Sequence, residues 1–254
     1  MPIEGLTTPV RENHRFDERS LECYLLERMR GFRGPLTVSQ FLTGQSNPTF
    51  LLESPAGRFV MRKKPSGEIL QSAHQVEREY RIMTALAPTD VPVPRTYLLC
   101  EDTAVIGTAF FVMDFVDGRI MVEPLLPNFT RDDRAAVYDS MVHTMARLHK
   151  VDFRAVGLGD YGRPVGYIAR HVARWTKQYK ASEIGPIPDM DRLIAWMERH
   201  IPQEDETTIA HGDFRLGNLI LHPKEPRVIA VLDWELSTLG HPLADLAWNC
   251  LGYH

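Results

Sequence analysis

Three cysteines, at positions 23, 100 and 250, are too few and too far apart for a disulfide framework or a thiolate metal site. That usage fits a reducing compartment, and a cytoplasmic protein is expected. No apolar run approaches the roughly 18–20 residues that a membrane-crossing helix needs. The opening stretch, MPIEGLTTPVRENHRF, holds no apolar core of the secretory kind. A basic surplus is also missing. Lys and Arg number 29 against 33 Asp and Glu, for a net charge of −4, whereas a chain whose main partner is nucleic acid carries excess positive charge. Internal repeats and low-complexity tracts are absent. The 254 residues, 44% of them hydrophobic, suffice to bury a core as one large domain or two lobes.

The pattern along the chain changes character near its middle. DERSLECYLLERMRGF has helical spacing and is broken by Gly31 and Gly34. TVSQFLTG, TFLLE and RFVMRKK then read as three antiparallel strands, with SPAG as a turn. Residues 68–87 carry an apolar stripe through Ile69, Ala73, Val76, Tyr80, Met83 and Leu86, which predicts a helix. TYLLC and TAFFVMDFVDG are extended. After Gly118 helices dominate. Thr130 with Asp133 forms a capping-box signature before RDDRAAVYDSMVHTMARLHKV, and YIARHVARWTKQYKAS and MDRLIAWMERHI follow. The predicted architecture is α+β: residues 1–116 form a lobe of antiparallel sheet with one helix, and residues 117–254 a mainly helical lobe. Trp175, Trp196 and Trp234 are expected in the core or a pocket wall.

The chemistry concentrates between His211 and Glu235, in HGDFRLGNLILHPKEPRVIAVLDWE. Leu219–His222 and Val228–Leu232 are apolar runs joined by the Pro-punctuated PKEPR, which makes a hairpin. Its open end carries Asn218 before the first strand and Asp233 after the second. An amide oxygen beside a carboxylate suits a hard cation such as Mg²⁺, which takes oxygen ligands and keeps sites for substrate phosphates. Asp213, in the preceding loop, can accept a proton from an attacking hydroxyl. A second reading takes His211 and Asp213 as ligands of a non-haem iron, with His222 or His241 completing the set. It leaves Asn218 and Asp233 without a role.

The run HGDFRLGN, followed after the hairpin by DWE, resembles the catalytic loop and metal segment of the aminoglycoside phosphotransferase and choline kinase family, relatives of the protein kinases. The resemblance extends over about residues 38–254. It implies a bilobal protein kinase-like fold and phosphoryl transfer from ATP, with Asp213 as base, Asn218 and Asp233 as Mg²⁺ ligands and His211 structural. It also implies a nucleotide site in the first lobe. Gly44, Ser46 and Asn47, in TGQSNPT, occupy the place of the turn that covers the phosphates. The phosphate-contacting base aligns with Arg62, where the family carries Lys; Lys64, on the same side of the strand, is the other candidate. Glu79 matches the helix glutamate that tethers this base, and the backbone of Asp114, Phe115 and Val116 matches the adenine-binding hinge. Asp245 matches an aspartate that braces the catalytic loop.

RKKPSGEILQSAHQVEREYRIM and DWELSTLGHPLADLAWN are similar to the branch of this family that includes domains fused to acyl-CoA dehydrogenases. That likeness implies a hydroxyacyl-CoA acceptor, and the basic run Arg170, Arg174, Lys177 and Lys180 suits an anionic substrate. An aminoglycoside acceptor and a non-catalytic nucleotide-binding module remain alternatives. Members of the family continue past the aspartate of GHPLADLA, so the second lobe is expected to be short. A small-molecule hydroxyl is the expected partner, without nucleic acid or membrane; the sequence does not give an oligomeric state.

Overall fold

A computed structural model describes residues 5–42, 47–65, 75–203 and 206–251. In chain order the strands are β1 (Thr7–Thr8), β2 (Thr37–Phe41), β3 (Thr49–Ser54), β4 (Gly57–Lys63), β5 (Thr96–Cys100), β6 (Phe110–Asp114), β7 (Arg119–Ile120), β8 (Thr208–Ala210), β9 (Leu219–Leu221), β10 (Val228–Val231) and β11 (Thr238–Gly240). The helices are α1 (Glu18–Arg28), α2 (Val76–Leu86), α3 (Thr103–Ile106), α4 (Arg131–Lys150), α5 (Tyr167–Ser182), α6 (Pro188–Arg199) and α7 (Pro242–Cys250). The predicted helix over 68–87 is thus present from Val76; its first residues lie outside the described segments.

The chain divides into two compact units, one of residues 1–141 with 216–235 and one of residues 142–215 with 236–254. The expected boundary at 116/117 does not coincide with this division. The reason is β-pairing: β7 lies just beyond that boundary, yet it pairs with β9, and β9 pairs with β10.

In the first unit a six-stranded antiparallel sheet runs in the order β1-β2-β3-β4-β6-β5. Side chains alternate across a strand with period two. Phe50 and Leu52, Phe59 and Met61, Leu98 and Cys100, and Phe110 and Val112 therefore share one face, where Leu21 and Leu25 of α1 pack on them. Asp17 starts α1 by accepting from the backbone N–H groups of Arg19 and Ser20 at 2.9 and 3.0 Å. On the opposite face α2 packs against β5 and β6, with Tyr80 and Phe111 ring centroids 6.2 Å apart. Val76, Ile82, Met83 and Leu86 are buried there, and so is Glu79. Arg62 has the parity of Val60, opposite to Phe59 and Met61, which places it on the α2 face. The capping box opens α4 as predicted: the Thr130 hydroxyl accepts from Asp133 N–H at 3.1 Å and donates to the Asp133 carboxylate at 2.8 Å.

In the second unit β8 and β11 form a short antiparallel pair, Thr238 opposite Ala210 and Gly240 opposite Thr208. Residues 211–215 leave β8 as a loop. Helices α5 and α6 pack on each other, and α7 packs near β8. Trp234, in the first unit, is fully buried as expected, but Trp175 and Trp196 are exposed at 58% and 53%. Both lie on outward faces of amphipathic helices, and α6 has no buried residue at all.

Candidate functional site

Two neighbouring choices of side assemble an acid cluster in the first unit. β4 turns Arg62 toward α2, and the stripe of α2 turns Glu79 toward the sheet. They meet in the interior, where Arg62 Nη1 donates to Glu79 Oε2 at 2.6 Å. The same nitrogen donates to Asp233 Oδ1 at 3.1 Å, and Nη2 lies 3.9 Å from Glu235 Oε2. Asn47 Nδ2 adds a 2.9 Å bond to Glu79 Oε1. Lys64 instead pairs with Glu77. Of the two candidate bases, the one tethered by Glu79 is therefore Arg62. Lys63, with the opposite parity, is buried, and burial lowers its pKa.

Three carboxylates surround one guanidinium, which leaves the cluster with an excess of negative charge. Burial pushes Glu79 up to about 7; Arg62 and Asn47 pull it down, while Asp233 and Glu235 push it further up. The charge of Arg62 is secure, because burial is outweighed by the attraction of Glu79, Asp233 and Glu235. Glu235 Oε2 is buried without a hydrogen-bond partner among the described residues. An excess of partly buried carboxylate with an orphaned oxygen fits a small divalent cation. No group of three or more His, Cys, Asp or Glu with metal-holding geometry occurs among the described residues.

The hairpin forms as the sequence pattern implies, Val231 opposite Leu219 and Val228 opposite Leu221. Leu232 N–H donates to the Asn218 carbonyl at 2.8 Å, which ties the two ends together and brings Asn218 and Asp233 to the same end. Asn218 is nearly buried. Asp233 has φ +65°, a left-handed conformation that Asp and Asn tolerate better than other side chains. Glu235 joins this end of the hairpin. The DWE triplet was its signal in the sequence, although the triplet alone does not give it a role.

Asp213 belongs to the second unit. Its carboxylate accepts from Arg215 Nε at 3.1 Å on both oxygens and from Trp248 Nε1 at 2.7 Å on Oδ1. Asp213 N–H donates to His211 Nδ1 at 3.2 Å, and the His211 ring lies edge-on to Phe214. His211 is fully buried, in keeping with a structural role. Beneath the loop Asp245 accepts from the N–H groups of His211 and Gly212, each at 2.8 Å, and from His149 Nε2 at 2.9 Å. Burial pushes the Asp245 carboxyl up, but these hydrogen bonds outweigh it and hold the pKa below the usual value. Gly212 has φ +85°, and a Cβ there would lie 2.8 Å from the Leu236 carbonyl, so the turn requires glycine.

One ring nitrogen of each later histidine in the iron reading is engaged in a local turn. His222 Nδ1 accepts from the backbone of Lys224 and Glu225, and His241 Nδ1 caps α7 by accepting from Leu243 N–H. At the expected hinge, Asp114 N–H donates to the Arg95 carbonyl and its side chain accepts from Tyr97. Arg58 stacks over the Phe115 ring at 4.4 Å, and Val116 follows outside any strand or helix. Gly44 and Ser46 lie outside the described residues. On α5, Lys180 is paired with Glu183 and Asp191, and Arg170 donates to the Arg163 carbonyl, which leaves Arg174 and Lys177 as the more available cations of that run.

Residues 37–253 match the phosphotransferase enzyme family, and the chain belongs to it. It is a kinase-like phosphotransferase domain with the α+β, protein kinase-like fold of that family. A curated relative is acyl-CoA dehydrogenase family member 11 of Rattus norvegicus, 49% identical over the whole of this chain, which spans 33% of that protein. A crystal structure from Ralstonia eutropha JMP134, of a protein assigned to the aminoglycoside phosphotransferases, superposes with a TM-score of 0.87 at 53% identity, covering 94% of this chain and 71% of that one. A thermostable mutant of aminoglycoside phosphotransferase APH(4)-Ia, crystallised with AMP-PNP and hygromycin B, shares the fold at a TM-score of 0.62 and 16% identity, over 90% of this chain and 75% of its own. Against the dehydrogenase family member, this chain is about a third of the length.

Proposed function

We propose that this chain transfers the γ-phosphoryl group of Mg·ATP to the hydroxyl of a small molecule in the cytoplasm. The observation that carries the reading is the Arg62 guanidinium, held by Glu79 and reaching Asp233 and Glu235. A tethered cation and a set of oxygen donors are the parts phosphoryl transfer needs, because its loose transition state is accelerated by positioning and charge. Asp213 orients the acceptor hydroxyl and takes its proton. Arg62 neutralises the phosphate oxygens, and Glu79 and Asn47 hold it in place. Asn218, Asp233 and Glu235 would hold Mg²⁺, which supplies charge neutralisation at the phosphates. The backbone from Asp114 to Val116 binds the adenine, and Gly44, Ser46 and Asn47 contact the phosphates.

For the acceptor we favour a hydroxyacyl-CoA. The 49% identity to an acyl-CoA dehydrogenase family member supports it, as do Arg174 and Lys177 on α5. Hygromycin B in the complex of the fold neighbour motivates an aminoglycoside as the second reading.

Acceptor-dependent ADP release with Mg·ATP tests the proposal, using 4-hydroxyacyl-CoA esters, aminoglycosides and choline. Turnover on a CoA ester is expected, with a loss of at least about a hundredfold in Asp213→Asn, the scale of general-base catalysis. Asp213→Asn should still bind ATP. ATP binding without turnover on any acceptor points to a regulatory nucleotide-binding module.

A further inference from the structure

Helix α7 meets the loop of residues 211–214 at three positions spaced i, i+3 and i+4. Asp245 accepts from His211 and Gly212 N–H, Trp248 donates to Asp213, and Asn249 Nδ2 donates to the Phe214 carbonyl at 3.3 Å. Residues at this spacing share one face of a helix. Consecutive loop residues are therefore matched, in order, by successive positions along a single rigid face. Two of the three contacts go to backbone groups and fix the path of the loop. The third goes to the carboxylate itself.

Trp248 is an unusual residue for that task. It is 47% exposed, so its ring is not there to fill a core. Its N–H is a donor with no acceptor capacity and no charge. At 2.7 Å from Asp213 Oδ1 it fixes the orientation of the carboxylate, whereas Arg215 approaches both oxygens at 3.1 Å and leaves the rotation about the last bond less defined. The Arg215 side chain is itself half exposed and long. The indole, on a helix pinned by the buried Asp245, is the stiffer support.

We propose that Trp248 is a positioning residue for the reaction: its indole N–H sets the direction from which Asp213 meets the acceptor hydroxyl. The proposal rests on the phosphotransferase reading, in which Asp213 is the base. Removal of the N–H takes away one of the bonds that set the orientation of the carboxylate. A small misplacement of a reacting group costs up to about a hundredfold in rate, and one lost orienting bond is expected to cost about tenfold.

The test uses the full chain. Trp248→Phe keeps an aromatic ring and deletes the donor. It should lower kcat about tenfold while KM for ATP and the melting temperature stay at the wild-type values. Trp248→His, which retains a ring N–H, should lie between the two. A readout independent of turnover is the indole ¹⁵N–H resonance. With four tryptophans, that of Trp248 is identified by its loss in Trp248→Phe, and it should shift in Asp213→Asn while the other three stay put. A wild-type kcat in Trp248→Phe, a kcat loss matched by lost stability or ATP affinity, or an unmoved Trp248 resonance would overturn the proposal. Absence of ADP release from the wild-type chain sinks the phosphotransferase reading, and this proposal with it; wild-type turnover retained in Trp248→Phe sinks this proposal alone.

Discussion

Arg62 and Glu79 form a buried pair that two further carboxylates crowd. Taking a carboxylate out of water disfavours its charged form, and a guanidinium at 2.6 Å favours it. Burial, reinforced by Asp233 and Glu235, prevails and raises Glu79 from 4.5 to about 7. The sign of the linkage follows. Between these two values the folded state holds a proton that the unfolded state has released, so stability falls as pH rises through the window. The shift corresponds to a change in stability on the order of 3 kcal/mol across the window. Melting temperatures of wild type and Glu79→Gln between pH 4.5 and 8 should diverge accordingly, with wild type losing ground as pH rises. Parallel curves would show that Arg62 keeps Glu79 ionised throughout. In the sequence, strand parity placed Arg62 and Lys64 together on one side, and the α2 stripe placed Glu79 at its edge. The choice between the two bases was not legible, because it depends on how far along β4 the helix sits, and no local spacing encodes that offset. Glu77 points further out from the stripe than Glu79, and it is the one that takes Lys64.

At the level of elements, short strands join what the long ones leave open. Gly118 precedes β7, and a Cβ there would lie 2.3 Å from Ile220 Cγ2 and 2.4 Å from the Leu221 carbonyl. The carbonyl belongs to a paired strand and cannot yield. Gly118→Ala should therefore cost about 1–3 kcal/mol, the range for overpacking, measured as a shift in the denaturation midpoint at constant m-value. Helix α7 makes a complementary case. Asp245 is fully buried and its pKa is lowered, so its contribution is present above the unfolded value of 3.8 and is lost as pH falls through the folded one. Asp245→Asn should flatten the acid limb of the stability curve and speed hydrogen exchange at His211 and Gly212. Unchanged exchange at those two amides would mean that the loop holds its path without the helix. The hairpin β9–β10 and helices α4, α5 and α6 were readable, since each carries its own period over many residues or a Pro-punctuated turn. β7, β8 and β11 were not: two or three residues have no period, and they are strands only because a distant partner supplies the ladder. In α7 the spread of exposed Leu243, Leu246 and Trp248 around buried Asp245 blurs the helical stripe, so nothing local announced the element.

For the molecule as a whole, a ligand that binds only the folded state raises stability by mass action. Mg·ATP at a hundred times its dissociation constant should add about 2.7 kcal/mol. Thermal denaturation should show the increase with Mg·ATP, and EDTA should reduce it. A shift indifferent to EDTA would remove Asn218, Asp233 and Glu235 from the binding of nucleotide. The division into units bears on how such a protein comes to exist. The first unit is built from two stretches of chain, and the second, residues 216–235, follows 74 residues that belong elsewhere. β7 at Arg119–Ile120 must wait for β9 at Leu219–Leu221, about a hundred residues later. At a synthesis rate of roughly 5–20 residues per second the delay is about 5–20 s. Over that interval the six-stranded sheet, whose strands all precede residue 115, can already be complete, while β7 still lacks the β9–β10 hairpin. On the ribosome, then, the scaffold that holds Arg62 and Glu79 is old by the time Asp233 arrives, and the acid cluster is closed only when residues 233–235 emerge.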